Sequence, residues 1–174
     1  MKLYSLSFLI LITEFCFACK EQNEIQLEQN ETTLNIDELG SYDKPGNILI
    51  STTFDECGEW GGHSEKIKIY TDSNRTAYAK YVVYPFKCDS SEYYYNIKNL
   101  KPKFDTTIVL NKQKQKAITA YISRLAQAKM AERFPGNAGQ TFSASKPDSS
   151  LVIRVYDSNQ KNDDSYKQLL SELF

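Results

Sequence analysis

The chain is poor in the residues from which catalytic and metal sites are most often built. It has one histidine, one tryptophan and four cysteines among 174 residues. A zinc centre of the catalytic type draws on three protein ligands, with His-rich sets dominant, so a lone His63 argues strongly against one. No GxSxG elbow, phosphate-binding glycine loop, HExxH or CxxC occurs, which removes the common signatures of serine hydrolases, nucleotide enzymes, zinc proteases and thiol oxidoreductases. Calcium-loop spacing of the DxDxDG kind is also missing. Charge of one sign is lacking as well. Lys and Arg number 21 and Asp and Glu 22, for a formal net charge of −1. That balance excludes the basic face nucleic-acid binding needs. No apolar run reaches the length of a bilayer span, and no internal repeat is visible.

The longest apolar run lies at the start. Lys2 supplies a positive charge, and Leu3 to Ile12 forms a stretch of signal-peptide length. Ala18 then precedes Cys19, a small residue directly before a cysteine whose thiol can take a diacylglycerol. This leader looks like a bacterial lipoprotein signal, with residues 1–18 removed and Cys19 lipidated. Its relaxed pattern resembles lipoproteins of the Bacteroidota. The rival reading is a plain secretory signal cut at Ala18. Cysteine counting favours the lipid. Cleavage removes Cys16 and lipidation uses Cys19. Cys57 and Cys88 remain as an even pair in an oxidising compartment, expected to form a disulfide. Two or three acyl chains, at roughly 0.8 kcal/mol per buried methylene, make a lasting anchor. Lys20 in place of Asp points by analogy to the outer membrane. The weakly acidic Lys20–Glu24 stretch favours the cell surface over the periplasmic face.

Residues 19–46 follow as the lipidated cysteine and a tether rich in Glu, Gln, Asn and Thr, with no aromatic residue before Tyr42. Its coil reach is roughly 25–30 Å. Residues 47–174 are expected to form one domain by length. Strand patterns cover Asn47–Phe54, Glu65–Tyr70, Thr76–Phe86, Tyr93–Ile97, Thr106–Leu110, Gln140–Ser145 and Leu151–Tyr156. Asp72-Ser73-Asn74 and Lys146–Ser149 carry turn chemistry. Asn111 caps a helix over about 112–133, whose apolar positions Ala117, Ile118, Tyr121, Ile122, Leu125, Ala128 and Met130 mostly fall on one face, ended by Pro135 and Gly136. A last helix presents Tyr166, Leu169, Leu170, Leu173 and Phe174, with Asp163 or Asp164 as cap. The order predicts an α+β fold, an antiparallel sheet with one long amphipathic helix and a C-terminal helix packed on one face.

The segment Phe54–Glu65 concentrates what the rest lacks. It holds the only Trp, the only His, three of the seven glycines (Gly58, Gly61, Gly62) and four carboxylates. Three readings stand. In the structural one, the glycines permit positive φ, Trp60 packs as a lid and His63 is simply polar. In the second, Trp60 anchors a peptide or sugar ring, with Glu59, His63 and Tyr94 as further contacts. In the third, His63 works with Asp55, Glu56, Glu59 or Glu65 as a metal or catalytic site. Along the third strand, Tyr78 and Tyr84 must share one face and Tyr81 the other. The run Tyr93–Tyr95 is either packing or an exposed aromatic strip. Lys112, Lys114 and Lys116 open the long helix, where cations oppose its dipole; they are read as a solvated face, or as a docking site for an acidic partner.

The segments Asp55–His63, Leu110–Leu125 and Asn137–Tyr156 resemble those of small uncharacterised Bacteroidota lipoproteins. That resemblance implies no activity and no functional residues. The expectation is a non-catalytic binding module held by lipid at the envelope, its partner an envelope protein or a glycan, with no cofactor. The alternatives are a hydrolase using His63 and nearby carboxylates, and a lipoprotein that neutralises a toxin. The hydrolase requires a concave pocket around His63 with a carboxylate in hydrogen-bond reach. The module requires Trp60 and tyrosines exposed on a flat or grooved face.

Overall fold

A computed structural model of the chain describes residues 47–58, 61–86, 88, 101–132, 139–157 and 161–174. Six strands form one antiparallel sheet: β1 (Ile48–Thr53), β2 (Ser64–Thr71), β3 (Ala77–Tyr84), β4 (Phe104–Val109), β5 (Gln140–Ser145) and β6 (Val152–Asp157). Two helices complete the element order, α1 (Lys112–Ala131) between β4 and β5, and α2 (Lys161–Leu173) after β6. The strand order across the sheet is β4-β3-β2-β1-β5-β6. The first four strands run outward as a meander, and α1 returns the chain to the free side of β1, where β5 and β6 add a second hairpin. The α+β architecture is the one the sequence predicts. The candidate strand Tyr93–Ile97 lies outside the described residues, as do Pro135 and Gly136.

Register makes one face of the sheet apolar. Ile48 stands opposite Ile69, Ile50 opposite Ile67 and Thr52 opposite Glu65. On the other side of β1, Ile50 meets Ala144 and Thr52 meets Phe142. On β3, Ala79 and Tyr81 continue the same face beside Ile69 and Ile67. Both helices cover it. Ile118, Tyr121 and Leu125 of α1 and Tyr166, Leu169 and Leu173 of α2 are buried against Ile50, Ile67, Phe142 and Val155. Fully burying an Ile, Leu or Phe side chain contributes roughly 1.5–3 kcal/mol, so this one layer supplies the main stabilising term.

The helices run antiparallel. Arg124 Nε donates to Ser165 Oγ at 2.8 Å in mid-helix, and Lys114 Nζ donates to the Leu173 carbonyl at 2.6 Å where α1 starts and α2 ends. Lys114 therefore sits on the negative end of α2, where a cation is favourable, and is not part of a purely solvated face. Asn111 caps α1 by accepting from the Lys114 N–H at 2.9 Å. Three apolar or capping expectations change. Met130 is 79% exposed, since it lies about 140° around α1 from Leu125 and off the buried stripe, and Phe174 is 47% exposed beyond the last turn of α2. The α2 cap is Asp157, whose Oδ2 accepts the N–H groups of Asn162 and Asp163 at 3.0 Å each. Asp163 instead pairs with Lys167 one turn on, at 2.7 Å. Among the described residues, no helix is long and apolar enough to cross a membrane.

Candidate functional site

The β1–β2 connection is an extension of its hairpin. Phe54 N–H donates to the His63 carbonyl at 3.0 Å, one rung beyond the Thr53–Ser64 pair. Two successive turns follow, Gly58 N–H to the Asp55 carbonyl at 2.8 Å and Gly61 N–H to the Gly58 carbonyl at 3.0 Å. Gly58 and Gly61 take positive φ, 65° and 84°, as a turn of this kind demands. Gly62 is required for a different reason. A Cβ there would stand 2.7 Å from the Phe54 carbonyl oxygen and 2.9 Å from the Glu56 nitrogen. The two limbs of the loop approach so closely that only a hydrogen fits between them. Cys57, on this loop, is joined to Cys88 in a disulfide with Cα atoms 5.5 Å apart. The bridge is possible because β2 begins beside the end of β3, with Ser64 paired to Tyr84.

This frame places His63 between two carboxylates. Glu56 curls back so that its Oε2 accepts the His63 backbone N–H at 3.0 Å and its Oε1 meets Nδ1 of the ring. Nε2 faces Glu65 Oε1 at 3.1 Å. The imidazole also stacks on Phe54, centroids 4.1 Å apart and planes within 6°, and Phe54 in turn packs edge-on against Phe142 of the core. A doubly protonated ring satisfies both carboxylates with N–H donors, whereas a neutral ring leaves one lone pair facing a carboxylate oxygen.

Glu65 is the unusual member. It lies in phase with Ile67 and Ile69, so its side chain enters the helix-covered face and the residue is only 9% exposed. Burying an ionised carboxylate costs several kcal/mol unless it is hydrogen-bonded. Here three donors reach it: Tyr81 hydroxyl at 2.6 Å, Tyr166 hydroxyl at 2.9 Å and the His63 ring. Burial first, and then the Glu65 carboxylate, push both tyrosines well above their ordinary value of 10.0, so they stay protonated and act as donors.

A pocket of about 590 Å³ opens at this point. Glu56, His63 and Glu65 form its polar lining, Val83, Pro85, Phe86 and Phe104 its apolar lining, and Lys103 adds a cation. The Phe104 ring is half exposed and leans on Tyr81, centroids 5.7 Å apart; Phe174 leans on the same ring at 5.1 Å.

Of the residues singled out from sequence, the structure brings together His63, Glu56 and Glu65. Asp55 is exposed on the loop and makes no contact with the ring. Glu59, Trp60, Tyr94 and Cys19 lie outside the described residues. Among the described residues, no group of three His, Cys, Asp or Glu side chains is placed to hold a metal, since the two carboxylates occupy different ring nitrogens. Tyr78 and Tyr84 stand on the opposite sheet face, where Tyr78 stacks on Tyr70 and Lys66 lies over Tyr84. Sequence reasoning did not single out Tyr166, Phe104 or the role of Tyr81. One signal was present: a glutamate in the buried phase of an otherwise Ile-lined strand must find donors from another element. Compared with known proteins, the chain matches no family model, no curated protein and no solved structure.

Proposed function

We propose that this chain is a lipid-anchored envelope protein whose domain binds a ligand, without converting it, in the pocket beside His63. The observation that carries the binding part is the combination in that pocket of a buried, donor-held carboxylate and an exposed apolar lining. Pockets of this size with a few convergent polar groups are the usual form of small-ligand sites. The lipid anchor rests on the Ala18-Cys19 leader and the pairing of the other two cysteines.

The hydrolase reading has one observation in its favour, the concave pocket with Glu56 against His63. Two features weigh against it. Both ring nitrogens are engaged by carboxylates, so none is left to take a proton from a nucleophile. The pocket lining among the described residues also contains no Ser, Thr or Cys.

The test is fragment binding followed by NMR, with the His63 ring protons as the local probe. Fragments are expected to shift those protons, and Phe104→Ala to weaken their binding without unfolding the domain, because the ring is half exposed. Equal binding to the Phe104→Ala variant would move the ligand site elsewhere. Turnover of ester or amide fragments that is lost in His63→Gln would favour the hydrolase.

A further inference from the structure

We infer that the pocket beside His63 selects an organic cation, a protonated amine or guanidinium carried on an apolar body. The inference rests on the binding reading above and specifies its ligand.

A carboxylate oxygen accepts about two hydrogen bonds. Glu65 Oε2 already takes two tyrosine hydroxyls, while its Oε1 takes only the His63 ring. Each oxygen of Glu56 takes one donor, the backbone N–H or the ring of His63. Three acceptor positions are thus left on the two carboxylates, and Glu56 is half exposed, with its side chain at 50%. The His63 ring offers no donor to a ligand, because both nitrogens face carboxylates. Apart from Lys103, the described side chains of the lining have spare acceptors and no spare donor, which calls for a ligand with donors of its own. An ammonium has three N–H groups and a guanidinium five, and neither has an acceptor.

Among the described residues, the charged or titratable groups lining the pocket are Glu56, Glu65, His63 and Lys103. The Glu56–His63–Glu65 set sums to −1 with a doubly protonated ring and −2 with a neutral one, so it is anionic in either state. Lys103 is exposed and sits on a flexible stem that can carry its ammonium into water when a second cation arrives. The half-exposed Phe104 adds an aromatic ring to the lining, and aromatic rings attract cations as well as hydrocarbon.

Such a cation could be a free amine or the side chain of a peptide, and the experiment separates them. The full mature chain is titrated at pH 7 with 2-phenylethylammonium, its neutral counterpart 2-phenylethanol and the anion 3-phenylpropionate, reading the His63 ring protons by NMR. A parallel arm compares acetyl-Phe-Lys-amide with the same peptide acetylated on the lysine nitrogen. The ammonium is expected to bind about tenfold more tightly than the alcohol, with the anion weakest. Glu56→Gln, an exposed change that spares the core, is expected to remove most of that preference, read as the ratio of ammonium to alcohol affinity in the same variant. A lysine peptide that outbinds the free amine assigns the cation to a polypeptide; the reverse order assigns it to a small molecule. Equal binding of ammonium and alcohol, or tighter binding of the anion, overturns the cation selectivity while leaving the pocket a binding site. Silence of the His63 protons toward all probes overturns both.

Discussion

Tyr166, on α2, donates its hydroxyl to Glu65, on β2, at 2.9 Å across the helix–sheet interface. The two residues are 101 positions apart, and their bond ties the last helix to the polar end of the pocket. A hydrogen bond to a charged acceptor is worth more than a neutral one, typically about 1.5–3 kcal/mol. Tyr166→Phe is expected to lower stability by about that amount, read as a shift in the urea midpoint. An unshifted midpoint would show that Glu65 is not held as described.

Tyr121 supplies the contrast. Its ring is fully buried between the helices, 6.0 Å from that of Tyr166, yet among the described residues its hydroxyl has no hydrogen-bond partner. Removing an unsatisfied buried polar atom relieves a penalty of about 1–3 kcal/mol. Tyr121→Phe is expected to leave the urea midpoint unchanged or raise it. A loss comparable to that of Tyr166→Phe would reveal a partner for the Tyr121 hydroxyl.

Gly62 tests the loop. Alanine there would force the Phe54 and Glu56 backbone apart, an overpacking cost of about 1–3 kcal/mol. The consequence reaches the site, because Glu56 makes both of its contacts with His63 from that position. Gly62→Ala is expected to shift the His63 ring protons as well as the melting temperature. Gly58→Ala, with open space around the new methyl but a φ of 65°, is expected to cost stability through backbone strain and leave the ring signals nearly in place.

Stability is expected to fall at alkaline pH. Tyr121 and Tyr166 have their ionisation raised above the ordinary value of 10.0, chiefly by burial. Below pH 10 the tyrosine is protonated in both folded and unfolded chains, and the full stability is present. Above it the unfolded chain loses a proton that the folded chain keeps, so the unfolded state binds fewer protons and stability declines. The slope is about 1.4 kcal/mol per pH unit for each such tyrosine. Absorbance titration at 295 nm should show these two phenols ionising only as the protein unfolds. Reversible ionisation near pH 10 in the folded state would refute it.

The Cys57–Cys88 bridge closes a separation of 31 residues. The loop-entropy expression assigns such a closure roughly 3–4 kcal/mol. Replacing both cysteines by serine is expected to cost up to that amount in the urea midpoint, with the β1–β2 loop gaining amide exchange while α1 keeps its protection. Uniform loss of protection across both elements would show that the bridge is needed for the whole fold.

The strands, turns and both helices follow from local patterning. Alternation of Lys and Ile in β2, Asp72 at the first tight turn, and the 3.6-residue spacing of Ile118, Tyr121 and Leu125 each depend only on neighbouring residues. Two apolar residues are placed differently: Met130 lies about 140° around the helix from Leu125 and so off the buried stripe, and Phe174 follows the last turn of α2. The α2 cap shows a related limit. Asp163 and Asp164 have the right type for a cap, yet Asp157 is the residue whose position at the end of β6 aims its carboxylate at the free N–H groups.

By itself, then, the sequence determined the element types, the α+β class, the only histidine and the acidic loop around it, because short-range periodicity and composition carry that information. The tertiary structure alone decided that His63 meets Glu56 and Glu65 and not Asp55. It also decided that Tyr81 and Tyr166 hold Glu65, and that Phe104 turns the site into a pocket. The His63 contacts are made within one hairpin, seven and two positions away, and the loop path selects among the nearby carboxylates. The contacts of Glu65 and Phe104 join residues from β2, β3, β4 and α2, and their closeness is set by strand register and helix packing, which no local stretch of sequence encodes.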